Sequence, residues 1–309
     1  MPLITVVIPT RNRPELLVRA VQSALNQTFK DIDVIVIIDG VDAHSIKALE
    51  QIDDTRLQFI ELHQSVGGSE ARNTGVRRAQ GEWIAFLDDD DEWLPNKLEV
   101  QLEVARKHKR PIVTSRLIAR TPAKDYVWPR KLFDYQEPLS EYLFCRKNWF
   151  QGDGLIQTST LLVPKELMLS VPFTPDLKKH QDWDWLLRAN ETPQTEIVFA
   201  DATTTIWYTW EKRASRSANS TWQFSLEWIR SHRQLVTNSA YRGFLISQVA
   251  PYIAKEGAWQ AAWHLAREIS NLRPSLKEWV VLTTLFIIPQ ELRRKIRNKL
   301  FLKVKWVKR

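Results

Sequence analysis

Residues 83–93 read Trp83-Ile84-Ala85-Phe86-Leu87-Asp88-Asp89-Asp90-Asp91-Glu92-Trp93, an apolar run that empties directly into four consecutive carboxylates. Five apolar residues make a buried strand, and four adjacent anions require something to neutralise them. Successive side chains of an extended strand point to opposite faces, so Asp88 and Asp90 are expected on one side and Asp89 and Asp91 on the other. The Asp88/Asp90 pair then offers hard oxygen ligands together, which suits Mg²⁺ or Mn²⁺ carrying a diphosphate. The competing reading is a solvated acidic turn ahead of a helix starting near Leu94-Pro95, where proline fits a first turn.

Outward from this run, the N-terminal half alternates strands with helices. Leu3–Pro9 reads as a buried strand, and the polar turn Thr10-Arg11-Asn12-Arg13-Pro14 leads into apolar residues at helical spacing, Leu16, Leu17, Ala20, Val21, Ala24 and Leu25. Val34–Ile38 is a second strand ending at Asp39-Gly40, and Leu57–Leu62 is a third that leads to Val66-Gly67-Gly68-Ser69-Glu70 and another helix. Such alternation predicts an α/β fold with a mainly parallel central sheet, whose ligand crevice lies at the carboxyl ends of the strands. Asn12, Asp39, Arg72 and Asp88 all fall near those ends.

Five stretches in this order resemble the family 2 glycosyltransferases, which have the GT-A fold: Val6–Arg13, Ile35–Gly40, Gly67–Gly75, Gly81–Asp91 and, further on, His180-Gln181-Asp182-Trp183-Asp184-Trp185-Leu186-Leu187-Arg188. The resemblance covers residues 1 to about 215. It implies an inverting, metal-dependent enzyme acting on a nucleoside-diphosphate sugar, most commonly a UDP-sugar. Pro9, Thr10, Arg11, Asn12 and Asp39 would hold the nucleoside, Asp88 and Asp90 the ribose and the metal on the diphosphate, and Arg72 would add positive charge. Asp182 would act as the base that deprotonates the acceptor, with Asp184 as its competitor, although an exposed acid opening a helix whose core face is Trp183, Leu186 and Leu187 reads the same way. His180 either coordinates or shapes the acceptor site or, as a lone histidine more often does, serves the fold. Two departures stand out. Many members carry two aspartates where this chain has Ile38-Asp39, so either Asp39 alone recognises the base or the nucleotide is contacted differently; and the usual Glu-Asp is Gln181-Asp182 here. Gln157–Val163 looks like the acceptor-side strand of the family, although any Ser/Thr-rich edge strand would read the same way. Lys212–Arg216 sits where members place a basic loop over the diphosphate, or where any solvated loop would lie.

The charge is unevenly distributed. Residues 291–309 hold nine Lys/Arg and one acid, Glu291; removing these from the 44 bases and 36 acids of the chain leaves 35 of each in the first 290 residues. The body is formally neutral, which argues against a nucleic-acid partner. In the tail, Leu292, Ile296, Leu300, Val304 and Val307 recur at helical spacing, as in a basic amphipathic helix lying on an anionic membrane. Upstream, Trp279–Ile288 is apolar but too short to span a bilayer, and a buried core helix explains it equally well. The single cysteine, Cys145, rules out an intramolecular disulfide and fits a reducing compartment. The chain opens Met-Pro-Leu and enters the first strand at once, which predicts no export signal and a cytoplasmic enzyme peripheral to the inner face of the membrane.

The expected organisation is a GT-A domain over 1–215, made of a nucleotide-binding half (1–110) and an acceptor half (111–215), followed by a helical extension over 216–309. Its 14 tryptophans, many after residue 200, are expected mainly in the core. The acceptor is expected to be a saccharide or lipid-linked intermediate of surface polysaccharide or lipopolysaccharide synthesis. Two other classes are open: a non-catalytic sugar-nucleotide-binding or membrane-associated module, which intact Asp88, Asp90 and Asp182 argue against, and a sugar nucleotidyltransferase, for which no Gly-rich phosphate loop follows the first strand.

Overall fold

The computed structural model describes residues 1–146, 154–210, 221–288 and 292. The basic stretch Lys212–Arg216 and, apart from Leu292, the tail 291–309 lie outside the described residues. The chain divides into two compact units, Met1–Tyr135 with Gly154–Ala218 and Gln136–Asp153 with Asn219–Arg309.

In the first unit, β1 (Ile4–Thr10) and β2 (Ile32–Ile38) are buried at every residue. Strands in the middle of a parallel sheet are covered on both faces, which is why both are apolar nearly throughout. Between them, α1 (Pro14–Leu25) starts with proline in its first turn and buries Leu17, Ala20, Val21, Ala24 and Leu25. After β2 come α2 (Ala43–Leu49), capped by the Asp42 side chain on the Ser45 amide, the edge strand β3 (Leu57–Glu61) and α3 (Gly68–Arg78). Helix α3 lies so close to β1 that a Cβ on Gly75 would sit 2.3 Å from Val7 Cγ1. Only glycine permits that approach.

The chain continues through β4 (Trp83–Phe86), β5 (Asp91–Trp93), α4 (Lys97–Ala105), the long β6 (Arg110–Arg120) and β7 (Asp125–Trp128). Helix α5 (Leu139–Phe144) belongs to the second unit. The first unit resumes with β8 (Leu162–Pro164), α6 (Lys165–Ser170), α7 (Gln181–Asn190) and β9 (Thr195–Tyr208). Together the strands form one sheet in the order β3-β2-β1-β4-β8-β6-β9-β5, with β7 on β6. It is mainly parallel, in β3-β2-β1-β4 and in β6-β9, and the short strands β5, β7 and β8 pair antiparallel.

Two local expectations are corrected. Helix α4 begins at Lys97 rather than near Leu94-Pro95, because β5 occupies Asp91–Trp93 and the Leu94 amide still donates to Thr204 O of β9. Gln157–Val163 is not one strand: Thr158–Thr160 forms a single 3₁₀ turn closed by the Thr160 amide on Gln157 O, and only Leu162–Pro164 joins the sheet.

The second unit is helical: α5 with α8 (Trp222–Ser231), α9 (Asn238–Phe244), α10 (Ala250–Glu256), α11 (Trp259–Ser270) and α12 (Leu276–Ile287). Its core centres on Phe144, Trp228 and Phe244, whose rings meet pairwise with centroids 5.2–6.4 Å apart. Gly243 admits α5 against α9, since a Cβ there would lie 2.4 Å from Phe144 O. Core packing accounts for Trp228, whereas Trp210, Trp259 and Trp263 are exposed.

Candidate active site

Strand β4 ends at Phe86, and the expected alternation of the aspartates does not occur. The Leu87 amide still donates to Val7 O (3.1 Å), but the Asp91 amide then donates to Asp88 O (3.1 Å) and closes a turn over Asp88–Asp91. The turn, not the strand period, decides where the carboxylates go. Oxygens of Asp88, Asp90 and Asp91 lie within 4.8 Å of one another. Asp89 instead accepts from Thr10 Oγ1 (2.8 Å) and Arg13 Nη1 (2.9 Å), and the same Arg13 nitrogen reaches Asp90 (3.0 Å). Burial pushes the Asp89 carboxyl up to about 6 against the pull of Arg13, with the charge of Asp90 adding to the rise. Asp91 is fully buried and accepts from Ser159 Oγ (2.6 Å) and Gln157 Nε2 (2.7 Å). Three carboxylates within that radius are a donor set that fits a hard divalent cation.

Arg72 of α3 connects this cluster to α7. It is buried, its Nη2 pairs with Asp88, and its Nη1 donates to Gln181 Oε1 (2.8 Å). Burial works against its charge, but Asp88 and Asp182 more than compensate and hold its pKa above the ordinary value. Asp182, in the first turn of α7, accepts from the Thr158 hydroxyl and, at 3.4 Å, from the Thr158 amide. Burial raises its pKa, Arg72 and Thr158 oppose the rise, Asp88 adds to it, and the net direction is upward. A carboxylate with a raised pKa is a stronger base than an exposed one, which suits proton abstraction from a hydroxyl.

Asp184, on the next part of the same helix, has another environment. It is buried, and its Oδ2 accepts from Thr174 Oγ1 (2.7 Å) and from Arg188 Nη2 (2.7 Å) and Nε (3.0 Å). His180 precedes the helix with φ of 68° and stacks on Trp183, ring centroids 5.0 Å apart.

The 3₁₀ turn Thr158–Thr160 stands between the two groups. Thr158 holds Asp182, while Ser159 Oγ donates to Asp91 and accepts the Asp88 amide (3.0 Å). The backbone of the turn is fixed from β5 and α4: Trp93 Nε1 donates to Ser159 O (2.7 Å) and Gln101 Nε2 to Thr160 O (2.6 Å). Lys97, fully buried against the Trp93 ring and Gln101 Oε1 (2.5 Å), has its pKa driven well down by burial.

At the ends of β1 and β2, the expected nucleoside residues face different neighbours. Asp39 Oδ1 accepts from the amides of Val66 (2.5 Å) and Gly67 (3.0 Å), and its Oδ2 from Ser65 Oγ (2.9 Å). Gly67 has a φ of 90°, a conformation natural to glycine, and caps α3. Arg11 donates to Ser65 Oγ (2.7 Å), Thr10 turns to Asp89, and the Asn12 amide, at φ of 55°, donates to Asp42 Oδ2 (2.9 Å). Pro9 is buried within β1, beside Ile37 of β2.

Residues 5–165, just over half of the chain, match the family described as glycosyl transferase family 2. The chain belongs to this family. Among curated relatives of this glycosyltransferase is the amylovoran biosynthesis glycosyltransferase AmsB of Erwinia amylovora, 27% identical over 255 residues that cover 77% of this chain and 82% of the relative. Among solved structures, S. aureus TarS 1-349 in complex with UDP-GlcNAc aligns with a TM-score of 0.60 at 14% identity, covering 96% of this chain and 92% of that one. The mannosyltransferase PcManGT from Pyrobaculum calidifontis, in complex with GDP-Man and Mn²⁺, aligns with a TM-score of 0.60 at 17% identity, covering 97% and 85%. At such identities the likeness shows a shared fold, the GT-A fold.

In this family 2 glycosyltransferase the structure brings Arg72, Asp88, Asp90 and Asp182 together and places Arg11 and Asp39 together on the Ser65–Gly67 loop. Arg13, Asp91, Thr158 and Ser159 are the neighbours for which sequence reasoning assigned no role. Their only sequence signal is position within longer motifs, because Ser and Thr at 158–160 are equally at home on an edge strand.

Proposed function

We propose that this glycosyltransferase transfers a sugar from a nucleoside-diphosphate donor, a UDP-sugar, to an acceptor hydroxyl in a single inverting displacement, in the assembly of a surface polysaccharide or lipid-linked glycan. One observation carries the reading: Arg72 joins the Asp88 cluster to the first turn of α7, so a base and a diphosphate-binding region occupy one site. Asp182 takes the acceptor proton as the hydroxyl attacks the anomeric carbon, and Thr158 aims its carboxylate. Gln181 and Arg72 orient the groups on either side. Asp88, Asp90 and Asp91 would hold Mg²⁺ or Mn²⁺, which when bound supplies positive charge against the departing diphosphate. Pro9, Thr10, Arg11, Asn12 and Asp39 form the nucleoside end. AmsB, named for polysaccharide biosynthesis, and the UDP-GlcNAc and Mn²⁺ complexes of the two structural relatives support this reading.

The enzyme works at the cytoplasmic face of a membrane, held by the basic segment 291–309. Each Lys or Arg near an anionic surface contributes on the order of 1 kcal/mol. No helix among the described residues is long and apolar enough to cross a membrane.

Purified protein incubated with UDP-, GDP- and dTDP-sugars and a lipid-linked acceptor extract tests the reading. Release of nucleoside diphosphate that EDTA abolishes and Mn²⁺ or Mg²⁺ restores is expected, with the product anomer opposite to the donor by NMR. Donor binding without release supports the non-catalytic alternative, and pyrophosphate release in a parallel incubation with a nucleoside triphosphate and a sugar 1-phosphate supports a nucleotidyltransferase.

A further inference from the structure

Helix α12 leaves an uncharged face in solvent. Leu276, Val280, Thr283 and Ile287 fall at spacings of four, three and four, which places them in one narrow arc of the helix. All four are exposed, Leu276 at 81%, Val280 at 40% and Ile287 at 73%, and only Leu282 of this helix is buried. A surface helix of a soluble domain normally turns charged residues outward. The charged residues of α12 are Lys277 and Glu278, and they point elsewhere: Lys277 donates to Arg146 O (3.2 Å), and Glu278 accepts from Arg242 (3.0 Å) and closes the capping box with Ser275. Two tryptophans extend the face. Trp259 and Trp263 lie one turn apart on α11 and are 68% and 60% exposed, and the Trp259 ring sits 6.2 Å from Phe286, the residue before Ile287.

The neighbouring segment of the chain indicates the occupant of this face. Immediately after α12 the sequence enters the segment with nine bases and one acid, whose charge complements an anionic surface. Basic charge alone gives reversible attachment that salt screens, and firm attachment takes a second, apolar contact. Tryptophan prefers the head-group level, where its ring is half in hydrocarbon and its N–H in water. We propose that the outward stripe of α12, with Trp259 and Trp263, inserts into the head-group region of an anionic phospholipid bilayer and provides the apolar contact that accompanies the basic tail. The proposal rests on the peripheral-membrane reading of the tail and adds an apolar surface to it.

Flotation of the full-length protein with vesicles of equal phosphatidylglycerol and phosphatidylcholine, at low salt and at about 0.5 M salt, tests it. Wild type is expected to stay partly bound in high salt. The pair Val280→Asp with Ile287→Asp, at exposed positions, is expected to lower partitioning by about tenfold or more and to leave the remainder fully salt-sensitive. Trp259→Ser with Trp263→Ser is expected to act the same way, with nucleotide release in solution unchanged for both. A full-length variant with Arg293, Arg294, Lys295 and Arg297 replaced by Gln separates the two readings. If that variant alone loses binding while both face variants bind as wild type, the inserted face is overturned and the basic tail stands. If wild type does not bind these vesicles, both are overturned. A face variant that keeps vesicle binding but halves the sedimentation mass assigns the stripe to a second copy of the chain and overturns the proposal. A face variant that keeps vesicle binding while its tail becomes protease-sensitive assigns the stripe to the tail itself, and also overturns it.

Discussion

In the run Asp88–Asp91, three carboxylates converge while Asp89 is held apart by Thr10 and Arg13; on α7, Asp182 meets Thr158 and the field of Arg72 while Asp184 is held by Thr174 and Arg188. In both regions identical side chains one or two residues apart have different work. The residue type supplies a chemistry, and its partners decide whether that chemistry serves the reaction or the fold. Asp89 and Asp184, each engaged by a hydroxyl and a guanidinium, tie elements of the fold together, whereas at Asp182 burial and the charge of Asp88 outweigh Arg72 and Thr158 and leave a raised pKa.

The sharpest way to break this comparison is on α7. Asp182→Asn is expected to lower kcat by about 10²- to 10⁴-fold while donor binding, measured by calorimetry, is kept. Asp184→Asn is expected to cost about 1–3 kcal/mol in urea unfolding, because Arg188 and Thr174 lose a buried charged acceptor, with kcat within a few-fold of wild type. An inactive but fully stable Asp184→Asn enzyme would exchange the two roles.

The acidic run gives the next largest effect. Asp90→Ala and Asp91→Asn are expected to raise the Mn²⁺ concentration for half-maximal rate by about 10- to 100-fold, and Asp89→Asn to leave it within a few-fold. Asp89 should be visible instead in stability against pH. Its folded pKa is raised from 3.8 to about 6. The stabilisation it contributes is therefore fully present below its unfolded value and is lost as pH rises through the folded one. Asp89→Asn should flatten that decline in denaturation measured between about pH 4 and pH 7. An unchanged slope would mean that Arg13 keeps Asp89 ionised throughout.

The smallest effect concerns Thr158. Its hydroxyl lowers the pKa of Asp182, so Thr158→Val should raise it further. Because the base works only when deprotonated, the acid limb of the kcat profile should move to higher pH, and rates measured on that limb should fall. Thr158→Ser should restore both. A uniform fall with no movement of the limb would leave Thr158 a packing residue.

The strands, the helices and the acidic run were legible because their signals are local: unbroken Val and Ile in β1 and β2, Pro14 opening α1, and Gly67 and Gly75 where backbone must turn or approach. The arrangement of the four aspartates was not. Alternation is a property of extended backbone, and extension stops at Phe86; the turn that replaces it is made by an amide of Asp91 that looks like any other in sequence. The 3₁₀ turn at Thr158–Thr160 resembles a strand in sequence for a similar reason, since Ser and Thr suit both, and Trp93 and Gln101, more than 50 residues away, fix its backbone. Nothing local marks Leu139–Phe144 as a partner of α9 either; Gly243, where no Cβ could fit against Phe144 O, is intelligible only once the two are together.

That three-residue turn carries a thermodynamic consequence. Thr158 and Ser159 are adjacent, yet one holds the base and the other holds both Asp88 and Asp91. An acceptor that shifts the turn shifts the bonds on both sides of it, and the free energy involved must reappear, with the same sign and size, in the affinity for the donor. On the proposed function, the affinities for donor and acceptor are then coupled through one turn that touches the reacting atoms only through its neighbours.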